Sequence, residues 1–107
     1  MDFKIPAERL GLEIEEYLEL VELFLETGAN DLKELEDAIA GNNIQAVVER
    51  SHSIKGASGN LGINEIYEIA KDIESKARDN SLEGIDDAVL KIKQYLEEII
   101  RLLEKKE

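Results

Sequence analysis

Apolar residues recur every three or four positions through four successive stretches of this chain, a period that helices satisfy and strands do not. The first and longest stripe runs Ile14, Tyr17 and Leu18, Val21, Phe24 and Leu25, Leu32, Leu35 and Ile39. The second passes through Ile44, Val47 and Val48, Ser51, Ile54, Ser58 and Leu61, the third through Ile66, Ala70, Ile73 and Ala77. The fourth takes Ile85, Ala88 and Val89, Ile92, Tyr95 and Leu96, Ile99, Leu102 and Leu103. Stop and cap residues separate them: Gly41 and Asn43, Gly62 and Asn64, then Asp79 and Asn80. Gly28 falls in phase between Leu25 and Leu32, so the spacing predicts one helix over roughly 13–40, with "TGAND" the place where a break or bend would fall. Acids near the start of the last stretch (Glu83, Asp86, Asp87) and Lys105 and Lys106 at its end suit a helix dipole. A short segment, Pro6 at a first helical position followed by "AERL" and closed by Gly11, precedes them all. The expected fold is all-α: an antiparallel up-and-down four-helix bundle with a short N-terminal capping helix. At 107 residues it should form one domain, 1–107, and a monomer, because one chain supplies every helix.

Charge removes several classes of partner. Thirteen basic residues stand against 25 acidic ones, for a net charge of −12. Nucleic-acid binders neutralise phosphates with clustered cations, so no nucleic acid is expected, and an anionic membrane is disfavoured for the same reason. No apolar run approaches a membrane span, and "MDFKIPAERL" carries acid and proline where a secretory signal needs a basic start and an apolar stretch. Without cysteine there is no disulfide and no thiolate metal site, and one histidine alone does not make a usual zinc site. A cytoplasmic protein with no metal of its own is the expectation.

The remaining signal is "VVERSHSIKGASGNLG", Val47 to Gly62. It holds the chain's one histidine, followed inside a helical pattern by Gly56 and Gly59. Each interior glycine costs about 1 kcal/mol of helix propensity relative to alanine. Residues three and four apart share a helix face. With Ser51, Ile54 and Ser58 directed inward, the face of His52 continues through Lys55, Gly56 and Gly59 one way and Glu49 and Gln45 the other. Taken alone, each feature has a bland reading: a surface histidine, a solvated lysine, a glycine that lets two helices approach, serines bonded to the preceding turn. Together they put a histidine and a cation beside missing side chains, where another molecule can come close. No Walker-type phosphate loop is present, and a bundle this small offers no evident hydrolase cavity. An accessible imidazole that can attack phosphorus is what remains, with Lys55 placed to offset phosphoryl charge.

The segment His52 to Gly62, "HSIKGASGNLG", closely resembles the signature of histidine-containing phosphotransfer (HPt) domains, His-x-x-Lys-Gly-x-Ser-x-x-Leu-Gly. The flanking helices resemble the family more loosely, and Ser51 stands where alanine commonly precedes the histidine. The resemblance implies a helical bundle and a phosphorelay. His52 would accept a phosphoryl group from a receiver-domain phospho-aspartate and pass it to another receiver, with Lys55 as the nearby cation. Gly56 would be the gap through which the partner reaches the imidazole. Ser58, Leu61 and Gly62 would be structural, and Gly59, Gln45 and Glu49 are assigned to partner access or docking. Such a module is not an enzyme in its own right. It carries no cofactor, and Mg²⁺ would be held by the partner, a response-regulator receiver or a hybrid histidine kinase. Two alternatives stand beside it. The phosphotransfer domain of a chemotaxis-type histidine kinase has a similar motif phosphorylated from ATP by a separate kinase core; a chain ending at Glu107 with no ATP site suggests instead a free-standing module or an excised fragment. A non-catalytic receiver-binding adaptor is the other, although it would need none of His52, Lys55 and Gly56.

Overall fold

Five helices follow one another in the computed structural model, which describes residues 2–106 and the side chains of residues 2–105. They are α1 (Lys4–Arg9), α2 (Ile14–Ala40), α3 (Ile44–Leu61), α4 (Asn64–Arg78) and α5 (Ile85–Lys106). The 27 residues of α2 span ~40 Å at ~1.5 Å per residue, which accounts for the 41 Å long axis of the molecule. The "TGAND" stretch stays helical because Gly28 faces the core. A Cβ there would meet the Phe24 ring at 3.8 Å and Leu96 of α5 at 4.0 Å, so Gly28 lies where two helices come close. Thr27 Oγ1 donates back to the Leu23 carbonyl at 3.1 Å, so its hydroxyl does not disturb the helix.

The ends of the helices follow local chemistry. The Glu13 N–H donates to Glu16 Oε1 at 3.1 Å, half of a capping box at the start of α2. Asn43 Oδ1 accepts from the Ala46 N–H at 3.1 Å to open α3. Gly62 closes α3 with φ of 72°, a left-handed conformation that glycine takes without strain, and the Ile63 N–H returns to the Ser58 carbonyl at 2.9 Å. One start differs from expectation by two residues. α1 begins at Lys4, not Pro6, because proline fits anywhere in a first turn whose N–H groups need no helical partner. α4 is preceded by the buried Ile63 as its cap, so Asn64 is its first helical residue.

Each long helix packs on the next, and α2 meets α5 to close the ring of an antiparallel up-and-down bundle. The core is formed by Tyr17, Val21, Phe24, Leu32 and Leu35 of α2, Val47 and Ile54 of α3, Ile66, Ala70 and Ile73 of α4, and Ile85, Ile92 and Ile99 of α5. Ser51 and Ser58 are also fully buried, and each hydroxyl donates at 2.7 Å to the carbonyl four residues earlier, Val47 and Ile54 respectively. Of the leucines outside the main stripe, Leu12 packs half-buried against the core, whereas Leu20 and Leu23 are exposed. α1 and Phe3, the residue before it, cover one end, with Phe3, Pro6 and Ala7 buried. There the Tyr17 hydroxyl donates at 2.6 Å to the Leu61 carbonyl, one of the carbonyls that the end of α3 leaves without a helical partner.

The two interior glycines of α3 turn out to differ. A Cβ at Gly56 would have no atom within 4 Å, whereas one at Gly59 would come 2.9 Å from Cδ1 and 3.2 Å from Cε1 of Tyr67 on α4. Gly59 is exposed and lines a shallow concavity with Gly56, and the room left by its missing side chain is taken by the Tyr67 ring, so it also serves α3–α4 packing. The distinction is measurable as stability. Gly56→Ala should gain about 1 kcal/mol of helix propensity, a rise in Tm of roughly 4–8 °C for a domain of this size. Gly59→Ala has the same propensity gain but must displace the Tyr67 ring, so its Tm should fall clearly below that of Gly56→Ala. Equal stabilisation by the two substitutions in thermal unfolding would contradict this packing.

Candidate functional site

His52 projects from the outer side of α3, its side chain 62% exposed. The reason is local: Ser51 and Ile54 on either side are buried, so the helical rotation carries residue 52 out of the core. α3 is held in that rotation from both flanks. Toward α2, Ser53 Oγ donates to Asp31 Oδ2 at 2.8 Å, and Arg50 Nη1 approaches Asp31 Oδ1 at 3.3 Å and Glu34 Oε2 at 3.1 Å. Toward α4 stands Glu74, whose side chain is only 6% exposed.

Glu74 is the centre of the site, and the motif gives no hint of it. Its Oε2 lies 2.9 Å from His52 Nδ1 and 2.7 Å from Arg78 Nη2, and its Oε1 lies 2.7 Å from Lys55 Nζ. Arg78 Nε adds a longer contact to Oε2 at 3.3 Å. Burial on its own would push the Glu74 carboxyl up; the hydrogen bonds from Lys55, then Arg78, then His52 outweigh it and hold the group down at about 2. The carboxylate is thus ionised at neutral pH and can only accept. It follows that His52 Nδ1 carries the proton it shares with Glu74, and that in the neutral ring the lone pair belongs to Nε2.

The residues singled out from the sequence separate in space. Gly56, one turn beyond His52, is open as expected. Lys55 is three-quarters buried, and its ammonium pairs with Glu74 while it lines the same concavity as His52, an engagement that the motif does not disclose. Gln45 and Glu49 are exposed on α3, two turns and one turn before His52. Gly59 lies against Tyr67. What sequence reasoning missed is the contribution of α4. Lys71, Glu74, Ser75 and Arg78 line one shallow concavity with His52 and Lys55. Their spacing of three, four and seven marks a single helix face, and the Glu74–Arg78 pair at i, i+4 was open to detection. That this face meets His52 depends on the register between α3 and α4, which a single helix pattern does not contain.

The arrangement leaves an exposed nitrogen nucleophile, oriented from behind by a buried anion, with cations around it and an unfilled position one turn away. Among the described residues, no cluster of three or more His, Cys, Asp or Glu side chains is placed to hold a metal ion, and no helix is long and apolar enough to cross a membrane.

Comparison with known proteins agrees with this geometry. The family model of the Hpt domain matches residues 19–102. The phosphorelay intermediate protein rdeA of Dictyostelium discoideum is 25% identical over 85 residues, 79% of this chain. The chain spans about a third, 34%, of the length of that relative. Among solved structures, histidine-containing phosphotransfer protein B (HptB) from Pseudomonas aeruginosa PAO1 superposes with a TM-score of 0.82 at 25% identity, over 99% of this chain and 91% of that one. The HPT domain of an Hpt sensor hybrid histidine kinase from Shewanella gives a TM-score of 0.80 over 98% of this chain and 91% of its own, and at 15% identity it speaks for the fold alone. With an exposed histidine on the second long helix of a four-helix bundle and a family model covering most of its length, this chain belongs to the Hpt domain family.

Proposed function

We propose that this chain is a phosphohistidine carrier of a two-component phosphorelay, in which His52 takes a phosphoryl group from a receiver-domain phospho-aspartate and yields it to another receiver. The observation that carries the reading is the pairing of an exposed His52 ring with a buried, ionised Glu74 at Nδ1. Attack comes from the Nε2 lone pair. The Nε2–P bond forms as the P–O bond to the aspartyl carboxyl breaks, and the leaving carboxylate keeps the electron pair. The ring, still protonated at Nδ1, gains positive charge, and that charge develops 2.9 Å from the Glu74 carboxylate. A charge-assisted hydrogen bond is worth about 1.5–3 kcal/mol, and here it strengthens as the ring becomes cationic. The reverse transfer uses the same geometry.

Gly56 leaves room for the partner to bring its aspartate to Nε2, since a side chain at that position would project into open space beside the imidazole. Mg²⁺ belongs to the partner in this reading, held by the receiver's acids. The partners are response-regulator receivers or a hybrid histidine kinase, met in the cytoplasm by a monomeric bundle.

The direct test is incubation with a phosphorylated receiver, and in parallel with ATP and a kinase core. An acid-labile, alkali-stable label should reach the wild-type chain from the receiver and be lost in His52→Gln with helicity intact. Label acquired only from ATP and the kinase core would transfer the protein to the chemotaxis-kinase class, and receiver binding without label would make it an adaptor. Glu74→Gln should slow transfer roughly ten- to a hundredfold by removing the charge behind the ring; an unchanged rate would overturn the role given to Glu74. The same carboxylate has a signature that needs no partner. Its folded value, about 2, lies below its ordinary 4.5. The stabilisation it gives is therefore fully present above about pH 4.5 and is lost as pH falls toward about 2. Wild type should lose more stability than Glu74→Gln across that window in acid-dependent unfolding, and parallel curves would contradict the ion-pair network.

A further inference from the structure

Resting on the phosphohistidine reading above, we propose that Lys71 of α4, not the motif lysine Lys55, is the cation that holds the phosphoryl group once His52 carries it. Lys55 is engaged elsewhere: its ammonium is 2.7 Å from Glu74 Oε1 and its side chain is 25% exposed. To serve the phosphate it would have to divide its charge with a buried carboxylate, whose desolvation is matched by these donors. Arg78 is tied to the same carboxylate through two nitrogens. Lys71 is different. It is exposed, it lines the same concavity as His52, and it forms no ion pair among the described residues. It lies on α4 one turn before Glu74 and Ser75, on the face that meets His52.

Ring geometry decides where the phosphate goes. Nδ1 is held by Glu74 at the floor of the site, and Nε2 lies across the ring from it. A phosphoryl group on Nε2 therefore projects away from Glu74, toward the mouth of the concavity. A dianion there meets an uncommitted ammonium at Lys71 and, on the next turn, the exposed Ser75 hydroxyl as a neutral donor. The charges around it are Lys55, Lys71, Glu74 and Arg78, and Lys71 is the one whose attraction no carboxylate already offsets. The motif lysine would then act through Glu74, by keeping it ionised behind the ring.

The test loads His52 with phosphoramidate, which transfers its phosphoryl group to the imidazole with loss of ammonia and needs no receiver. Phosphorus NMR then follows the second ionisation of the phosphoryl group on phospho-His52, from monoanion to dianion. A nearby cation favours the dianion, so Lys71→Gln should raise that midpoint by about 0.5–1 pH unit, a three- to tenfold change in the proton dissociation constant, at low salt. Lys71→Arg should stay near wild type, and Lys91→Gln, a loss of the same charge on α5, should leave the midpoint unmoved. The Lys71 effect should shrink in about 1 M salt, where the screening length is near 3 Å. A midpoint that Lys71→Gln does not move, or that Lys91→Gln moves as far, overturns the assignment of Lys71 while leaving phosphohistidine in place. If the wild-type chain acquires no phosphoryl group on His52, the phosphohistidine reading falls and Lys71 falls with it.

Discussion

A carboxylate almost sealed from water has to be matched by donors, because its solvation is lost and bulk counter-ions do not reach it. Glu74 is such a group, and it collects its donors from two helices: His52 and Lys55 from α3, and Arg78 from its own α4. One interaction thereby does two things. It fixes how α3 and α4 sit against each other, and it decides which nitrogen of the histidine is free. Had the carboxylate been exposed, solvent would screen it and the ring would keep both tautomers available. Had it lacked Lys55 and Arg78, burial would favour its neutral form, which has a proton to give and no longer demands one from Nδ1.

The rest of the bundle keeps that contact in place while leaving its outer side empty. Ser53 and Arg50 tie α3 to Asp31 and Glu34 of α2 on the flank away from Glu74. Gly59 lets the Tyr67 ring lie directly on α3, bringing α4 close at the neighbouring turn. The core serines 51 and 58 return their hydroxyls to the helix, so burying them leaves no unsatisfied group. Rigidity is thus concentrated beneath and beside the imidazole, and openness at Gly56 above it. The proposed carrier role would benefit from that division, because positioning supplies much of what phosphoryl transfer needs.

How much of this could be read from the sequence follows from the range of each interaction. The helices were legible because a period of three and four is a local property; α2 is continuous through Gly28, and α3 starts at the Asn43 cap and ends at Gly62. The outward rotation of His52 was legible for the same reason, since Ser51 and Ile54 announce the buried side. What failed was whatever depends on a second helix. Gly59 had an open-face reading and a helix-packing reading side by side until Tyr67 of α4 supplied the atoms that stand next to it. Lys55 looked free until Glu74, nineteen positions later in the sequence, proved to be its partner. Two helix patterns do not state their mutual register, so a charge pair that bridges them leaves no mark on either one.

The most direct measurement is nitrogen NMR of the His52 ring in the unphosphorylated chain, read on the neutral form of the imidazole. The account predicts that this form carries its proton on Nδ1 and leaves Nε2 unprotonated. After phosphorylation it predicts phosphorus coupled to Nε2 and the Nδ1 proton retained. A neutral ring protonated at Nε2, or phosphorus bonded to Nδ1, would contradict it, because Glu74 would then not be the group that orients the nucleophile.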